Sequence, residues 1–202
     1  MLELYAFPLS GNSRKATLTL EEVGAEYQYH QIDLMQGAQK QADYLQINPN
    51  GKVPVLRDGE LLLWESSAIM LYLAEKFPAS GLIPTDPARR GQLYQWLIWQ
   101  PGTYNPPLSA LNGQLVFTPP EQQDPQLIEQ LSETVMGNTQ IVERQLADQA
   151  YLLGDFSLAD LVMLPHLSAA ADREVTMSAR VTRYLQRLQE RPSWQKVSKM
   201  TP

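Results

Sequence analysis

The chain has 202 residues, 44% of them hydrophobic and 19% charged, which is enough for one domain with a sizeable core or for two small ones. A net charge of −6, with no basic run interleaved with aromatics, argues against nucleic-acid binding because the overall field repels phosphate backbones. Cysteine is absent, so no protein thiol can form a mixed disulfide or hold a metal, and the two histidines, His30 and His166, lie too far apart in sequence to suggest a metal site or a histidine-assisted serine triad.

The start, Met1-Leu2-Glu3-Leu4, has no basic region or long apolar stretch and does not read as a signal peptide. Apolar segments such as Ala68 to Ala74 are too short to span a bilayer, so the expected setting is the cytoplasm, with no membrane partner.

Leu2 to Phe7 alternates and reads as a strand. Ser10-Gly11-Asn12-Ser13 reads as a loop ending in a helix cap, with a helix from Arg14 to Val23. Its apolar positions Ala16, Leu18, Leu20 and Val23 do not share one stripe, as in a helix packed on a sheet, and Gly24 suits the left-handed position beyond its end. Tyr27 to Asp33 returns as a strand, parallel to the first if the helix is a crossover. Gln36 to Gln46 is polar and reads as a loop with a short helix. A hairpin from Val53 to Trp64, turning at Asp58-Gly59, and a helix from Ser66 to Phe77 complete the first unit, expected over residues 1–78.

Residues 79–87, rich in proline and glycine, read as a linker. The helical period takes over beyond it, so 88–202 is expected to be all-α. One helix runs from Ala88 to Gln100. Pro101, Pro106-Pro107 and Pro119-Pro120 then break the chain, predicting a kinked or interrupted helix around Pro107 to Leu115 followed by a loop. Leu127, Leu131, Val135, Val142 and Leu146 fall largely on one face of another helix. Ser157-Leu158-Ala159-Asp160 reads as a capping-box variant opening an apolar helix, a folding element and not a catalytic aspartate. Arg180 to Arg191 and Ser193 to Lys199 form the last two helices, divided at Pro192.

Two motifs carry chemistry. In Asn48-Pro49-Asn50-Gly51-Lys52-Val53-Pro54-Val55-Leu56, a proline opens an apolar run that otherwise reads as a strand. A cis Val53-Pro54 bond at the strand's entrance would accommodate it and leave the Val53 N–H and C=O for an extended ligand. Nine residues past Leu56, Glu65-Ser66-Ser67 stands at the head of an apolar helix, where free N–H groups, the positive dipole end and hydroxyls suit a carboxylate. Together they describe a small, acidic, peptide-like ligand.

This pairing resembles the glutathione transferase family, whose fold is an α/β thioredoxin-like N-terminal domain followed by an all-α helical C-terminal domain. The resemblance covers essentially the whole chain, and Gly154 to Asp160 also resembles the family's helical-domain pattern, with one residue missing between Gly154 and Phe156. It implies that Val53, beside Pro54, pairs with the cysteinyl backbone of glutathione, that Glu65 meets the γ-glutamyl ammonium and Ser66 its carboxylate, and that Gln39 and Lys52 contact the glycyl carboxylate. On the residues alone Lys52 reads equally as a solvated turn charge, and Glu65 as an acid favoured by the helix dipole.

Such an enzyme needs a thiolate, and a free thiol with pKa near ~8.5 is only a few per cent ionised at pH 7. Tyr5 sits one place off the tyrosine of the tyrosine-type classes and points to the other sheet face, so it is taken as a packing residue. The loop Pro8 to Arg14 resembles the serine-type classes, theta and delta, which makes Ser10 the thiol activator and Asn12 the second candidate donor. As a plain sequence, Ser10 also reads as a turn residue. Trp99, Tyr104 and Asn105 are candidates for an electrophile pocket between the domains, although aromatics at such a break are more often core than ligand contacts.

The resemblance implies a detoxifying transferase in which glutathione, as co-substrate and with no further cofactor or metal, attacks a small hydrophobic electrophile, and it implies a homodimer. Two other functions fit the same residues: glutathione-dependent reduction of peroxides or disulfides, and a non-catalytic binding module. Retention of Ser10, Val53-Pro54 and Glu65-Ser66 together argues against the last.

Overall fold

The computed structural model describes all residues, 1–202, as two compact units: 1–83 with 190–202, and 84–189. In the first, β1 (Leu2–Ala6), α1 (Gly11–Glu22), β2 (Tyr27–Gln31), α2 (Ala42–Ile47), β3 (Val55–Asp58), β4 (Leu61–Trp64) and α3 (Ser66–Lys76) follow in chain order. The sheet order is β2-β1-β3-β4, with β1 parallel to β2 and both other pairings antiparallel. Alternation in β1 sends Leu2, Leu4 and Ala6 into a core with Leu56 of β3, Ala16 and Leu20 of α1, and Ile69 and Leu73 of α3. Fully burying each of the large aliphatic side chains contributes about 1.5–3 kcal/mol.

Helix α1 begins at Gly11, three residues ahead of the expected start, because Ser10 is itself the cap: its Oγ accepts from the Ser13 N–H at 3.3 Å. The helix is buried almost all round from Ser13 to Leu20, which explains the missing stripe. Thr17 and Thr19 fit there because their hydroxyls donate back to the carbonyls of Ser13 and Lys15 at 3.0 and 2.9 Å. Gly24 takes φ 67, as its place past the helix end requires.

The last helix, α9 (Pro192–Val197), packs in this first unit, although the sequence reading gave everything from 88 to 202 to the helical domain. The cause is long-range: Arg191 grips Glu22 of α1 through two bonds of 2.7 Å, Ser193 donates to the same carboxylate, and Lys196 reaches Glu21 at 2.8 Å.

The second unit is helical throughout: α4 (Pro87–Trp99), α5 (Asn105–Asn112), α6 (Pro125–Leu146), α7 (Leu158–Asp172) and α8 (Ala179–Gln189). Pro101 and Pro106-Pro107, expected to break the chain after α4, widen it instead, whereas at Pro119-Pro120 the chain leaves the helix for a loop as expected. Gln100–Tyr104 and Gly113–Phe117 are π-helical turns, so the backbone stays helical from Pro87 to Phe117. In α6 only the C-terminal part of the expected face is buried, through Val135, Thr139, Val142 and Leu146, while Leu127 is exposed. Helix α7 is buried from Leu158 through Ser168 and opens on the expected box. Ser157 Oγ accepts from Ala159 N at 3.3 Å, and Asp160 accepts from Ser157 N at 2.9 Å, Leu152 N at 3.0 Å and the Tyr184 hydroxyl at 2.8 Å. No helix is long and apolar enough to cross a membrane.

Candidate functional site

The first unit brings together the residues of both motifs. The Val53-Pro54 bond is cis, and β3 starts only at Val55, which pairs with Tyr5 on one side and Trp64 on the other. Val53 therefore lies outside the ladder, and its backbone N–H and C=O have no partner in the chain. The preceding carbonyl is held firmly: Lys52 O accepts from the Tyr44 hydroxyl and from Asn48 Nδ2, both at 2.7 Å. Gly51 takes φ 58, and a Cβ there would meet Gln39 O at 3.0 Å and Lys40 Nζ at 2.9 Å, so the absent side chain is what lets the 38–40 turn close onto this loop. That contact sets Gln39 beside Lys52. Gln39 keeps its Oε1 buried and unpaired, and Lys52 is exposed.

At the head of α3, Glu65 adopts φ 73 and ψ 111, a conformation that residues other than glycine rarely hold and that is typically maintained at ligand sites. Its carboxylate is exposed. Ser66, 6% exposed, leaves its hydroxyl without a protein partner beside the unfilled first turn of α3. Acceptor, donor and dipole thus stand on adjacent residues at one helix head, the set of groups an amino-acid zwitterion requires.

Lys15 was not picked out from the sequence, where a lysine inside a helix reads as surface. It is fully buried on α1. Burial pushes its ammonium down to about 7, while the negative charge of Glu65 acts to raise it.

Ser10 caps α1 with its acceptor side toward Ser13 N, so its hydroxyl hydrogen is left to donate outward at the positive end of the helix. Asn12 lies in the first helical turn, with its Oδ1 buried and unpaired. Ser13 is committed inside: its Oγ accepts from Phe7 N at 3.1 Å. Tyr5 points to the sheet face away from Leu4 and Ala6, stacks on His30 at 4.5 Å, and donates its hydroxyl to Glu3 at 3.0 Å. Burial and that bond raise the Tyr5 pKa, and the hydroxyl's one hydrogen is committed to Glu3 and not to a ligand.

The three electrophile candidates lie in the helical unit. Tyr104 is fully buried and its hydroxyl meets Thr139 Oγ1 at 3.1 Å, which makes it a core residue of that unit. Trp99 is half-buried, edge-on to Trp96 at 5.2 Å, and Asn105 is half-buried at the start of α5.

Residues 1–75 match the family model for the glutathione S-transferase N-terminal domain, and residues 110–192 the model for the C-terminal domain. The chain is 38% identical to glutathione S-transferase F10 of Arabidopsis thaliana, over 98% of this chain and 96% of that protein. It is 33% identical to the disulfide-bond oxidoreductase YfcG of Escherichia coli, over 96% of this chain and 92% of that one. Among solved structures, a glutathione transferase from Pseudomonas putida with one glutathione disulfide bound per subunit superposes with a TM-score of 0.91 at 28% identity, covering 100% of this chain and 92% of the other.

Proposed function

We propose that this chain, which belongs to the glutathione S-transferase family, binds glutathione along the free edge at Val53 and the head of α3, ionises its thiol at Ser10, and directs the sulfur at a hydrophobic electrophile. The observation that carries the reading is Ser66: a largely buried serine whose hydroxyl has no protein partner, at a helix head, next to a glutamate whose backbone is held at positive φ.

In this mechanism the Val53 N–H and C=O pair with the cysteinyl residue as one more strand would. Glu65 takes the γ-glutamyl ammonium, and Ser66 with the free α3 N–H groups takes the adjoining carboxylate. Gln39 and Lys52 take the glycyl carboxylate. The thiol proton leaves to solvent, Ser10 donates to the resulting thiolate, and a sulfur–carbon bond forms as the electrophile's leaving group departs with its electron pair. Trp99 and Asn105 remain the candidates for contact with that electrophile. Ser66→Ala is expected to weaken glutathione binding by about 1–3 kcal/mol, the loss of a hydrogen bond to a charged group. Titration calorimetry showing an unchanged dissociation constant would sink the assignment.

The likeness to YfcG supports a second reading, glutathione-dependent disulfide reduction. With no cysteine in the chain, both sulfurs must come from glutathione. One thiolate attacks the substrate disulfide, and a second glutathione then displaces the remaining thiol, leaving glutathione disulfide. Steady-state rates with chlorodinitrobenzene, a hydroperoxide and a dithiol disulfide separate the two readings.

Assembly as a two-fold homodimer is part of the proposal. Strand β4 is a sheet edge that exposes Leu61 and Trp64, at 40% and 44%, the kind of apolar edge that proteins cover. Light scattering at micromolar concentration is expected to give twice the monomer mass, and a monomer alone contradicts it.

A further inference from the structure

Arg14 is the fourth residue of α1, close to the positive end of the helix dipole, where a cation is locally disfavoured. Its contacts explain its presence. Nε donates to the Pro8 carbonyl at 2.8 Å, and the guanidinium lies over the Trp194 ring at 5.8 Å. Trp194, in α9, is 6% exposed. The Pro8 carbonyl belongs to the central peptide of a tight turn that Ser10 N closes onto Phe7 O at 3.0 Å. In such turns the two common forms differ by turning that central peptide over, and the second needs a positive φ at the third residue, here Leu9, which does not take one. The bond from Arg14 to the Pro8 carbonyl therefore helps hold, in one form, the turn from which Ser10 emerges.

We propose that Arg14, clamped between the Pro8 carbonyl and the Trp194 ring, is a positioning residue that aims the Ser10 hydroxyl, and that the C-terminal segment thereby tunes the thiol site. The proposal rests on the glutathione reading above. The segment is suited to the task because it is anchored to the far end of the same helix, by Arg191 and Ser193 to Glu22 and by Lys196 to Glu21. Trp194 is consequently a fixed platform. Arginine is needed because a planar guanidinium can stack on a ring while donating from Nε in its own plane, and an ammonium cannot.

The test compares Arg14→Lys, which keeps the charge, Trp194→Leu, which removes the platform, and Trp194→Phe, which keeps a ring. Thiolate absorbance of bound glutathione is followed against pH, together with kcat and the glutathione dissociation constant. Arg14→Lys and Trp194→Leu are expected to raise the thiol pKa by about one unit and to lower kcat at neutral pH about tenfold. Glutathione affinity should stay within about twofold, since the Val53, Glu65 and Ser66 contacts are untouched, and Trp194→Phe should remain near the parent. A parental thiol pKa and kcat in Arg14→Lys overturn the proposal, even where Trp194→Leu fails to fold. So do parallel losses of affinity, kcat and melting temperature, which mark a purely structural brace. A parent protein that binds no glutathione overturns the reading of the site itself, and the clamp's role with it; a parent that ionises glutathione, with both variants doing the same, overturns the clamp alone.

Discussion

Ser10→Ala is expected to abolish most turnover at neutral pH while leaving glutathione affinity nearly intact. The hydroxyl's acceptor side is occupied by Ser13 N at 3.3 Å, so what it offers a ligand is its hydrogen, at the positive end of α1. Losing a donor to a thiolate shifts the thiol pKa up by about one to two units, at 1.36 kcal/mol per unit, and the ionised fraction falls with it. The same change removes the α1 cap and lowers stability by about 1 kcal/mol, too little to account for lost turnover in a protein that remains folded. Asn12→Ala should be milder, since Asn12 sits inside the first turn with its carbonyl oxygen buried. Thiolate absorbance followed against pH in both variants decides the matter. If Asn12→Ala raises the thiol pKa and Ser10→Ala does not, the asparagine carries the chemistry.

Asp160→Ala is expected to destabilise the protein by about 4 kcal/mol or more, with denaturant unfolding as the measure. It strips the acceptor from two buried N–H groups, Leu152 and Ser157, and from the buried Tyr184 hydroxyl, each costing about 1–3 kcal/mol when left unpaired. Burial pushes the carboxyl from 3.8 up to about 6, against the pull of those donors in the other direction. A pKa raised in the folded state means that the native protein holds the proton more tightly than the unfolded chain. This group's contribution is accordingly full below about pH 4 and declines as pH rises through about 6, a difference of about 3 kcal/mol. The stability gap between the parent and Asp160→Asn should therefore widen from pH 7 to pH 4. A gap that is flat or narrows over that range shows that the donors outweigh burial and the carboxylate stays ionised.

Much of the first unit could be read locally because its signals are local. Alternation in Leu2 to Ala6 gives one buried face, Gly24 and Gly59 mark turns that need positive φ, and a proline ahead of Val55-Leu56 demands a special entrance to its strand. The Ser157–Asp160 box was likewise visible, since both its partners lie within four residues of chain.

Other features were decided by competition between equally plausible local options or by residues distant in sequence. The cap of α1 at Ser10, three places early, follows from a bond to Ser13 that competes with equally plausible caps at Asn12 and Ser13, and Ser13 is drawn inward by Phe7 N. Pro101 and Pro106-Pro107 end helices by local rules, yet in the packed unit the backbone widens to π turns and continues. Tyr104, an apparent ligand contact, is claimed by Thr139 on another helix. The last helix belongs with α1 because Arg191 and Lys196 find Glu22 and Glu21 some 170 residues away in the chain, and Arg14 is held against its local helix preference by Trp194. The motif residues of the proposed glutathione site are therefore set by short-range chemistry, whereas Arg14, the residue proposed to aim its serine, is held by a contact that exists only once the two ends of the chain have met.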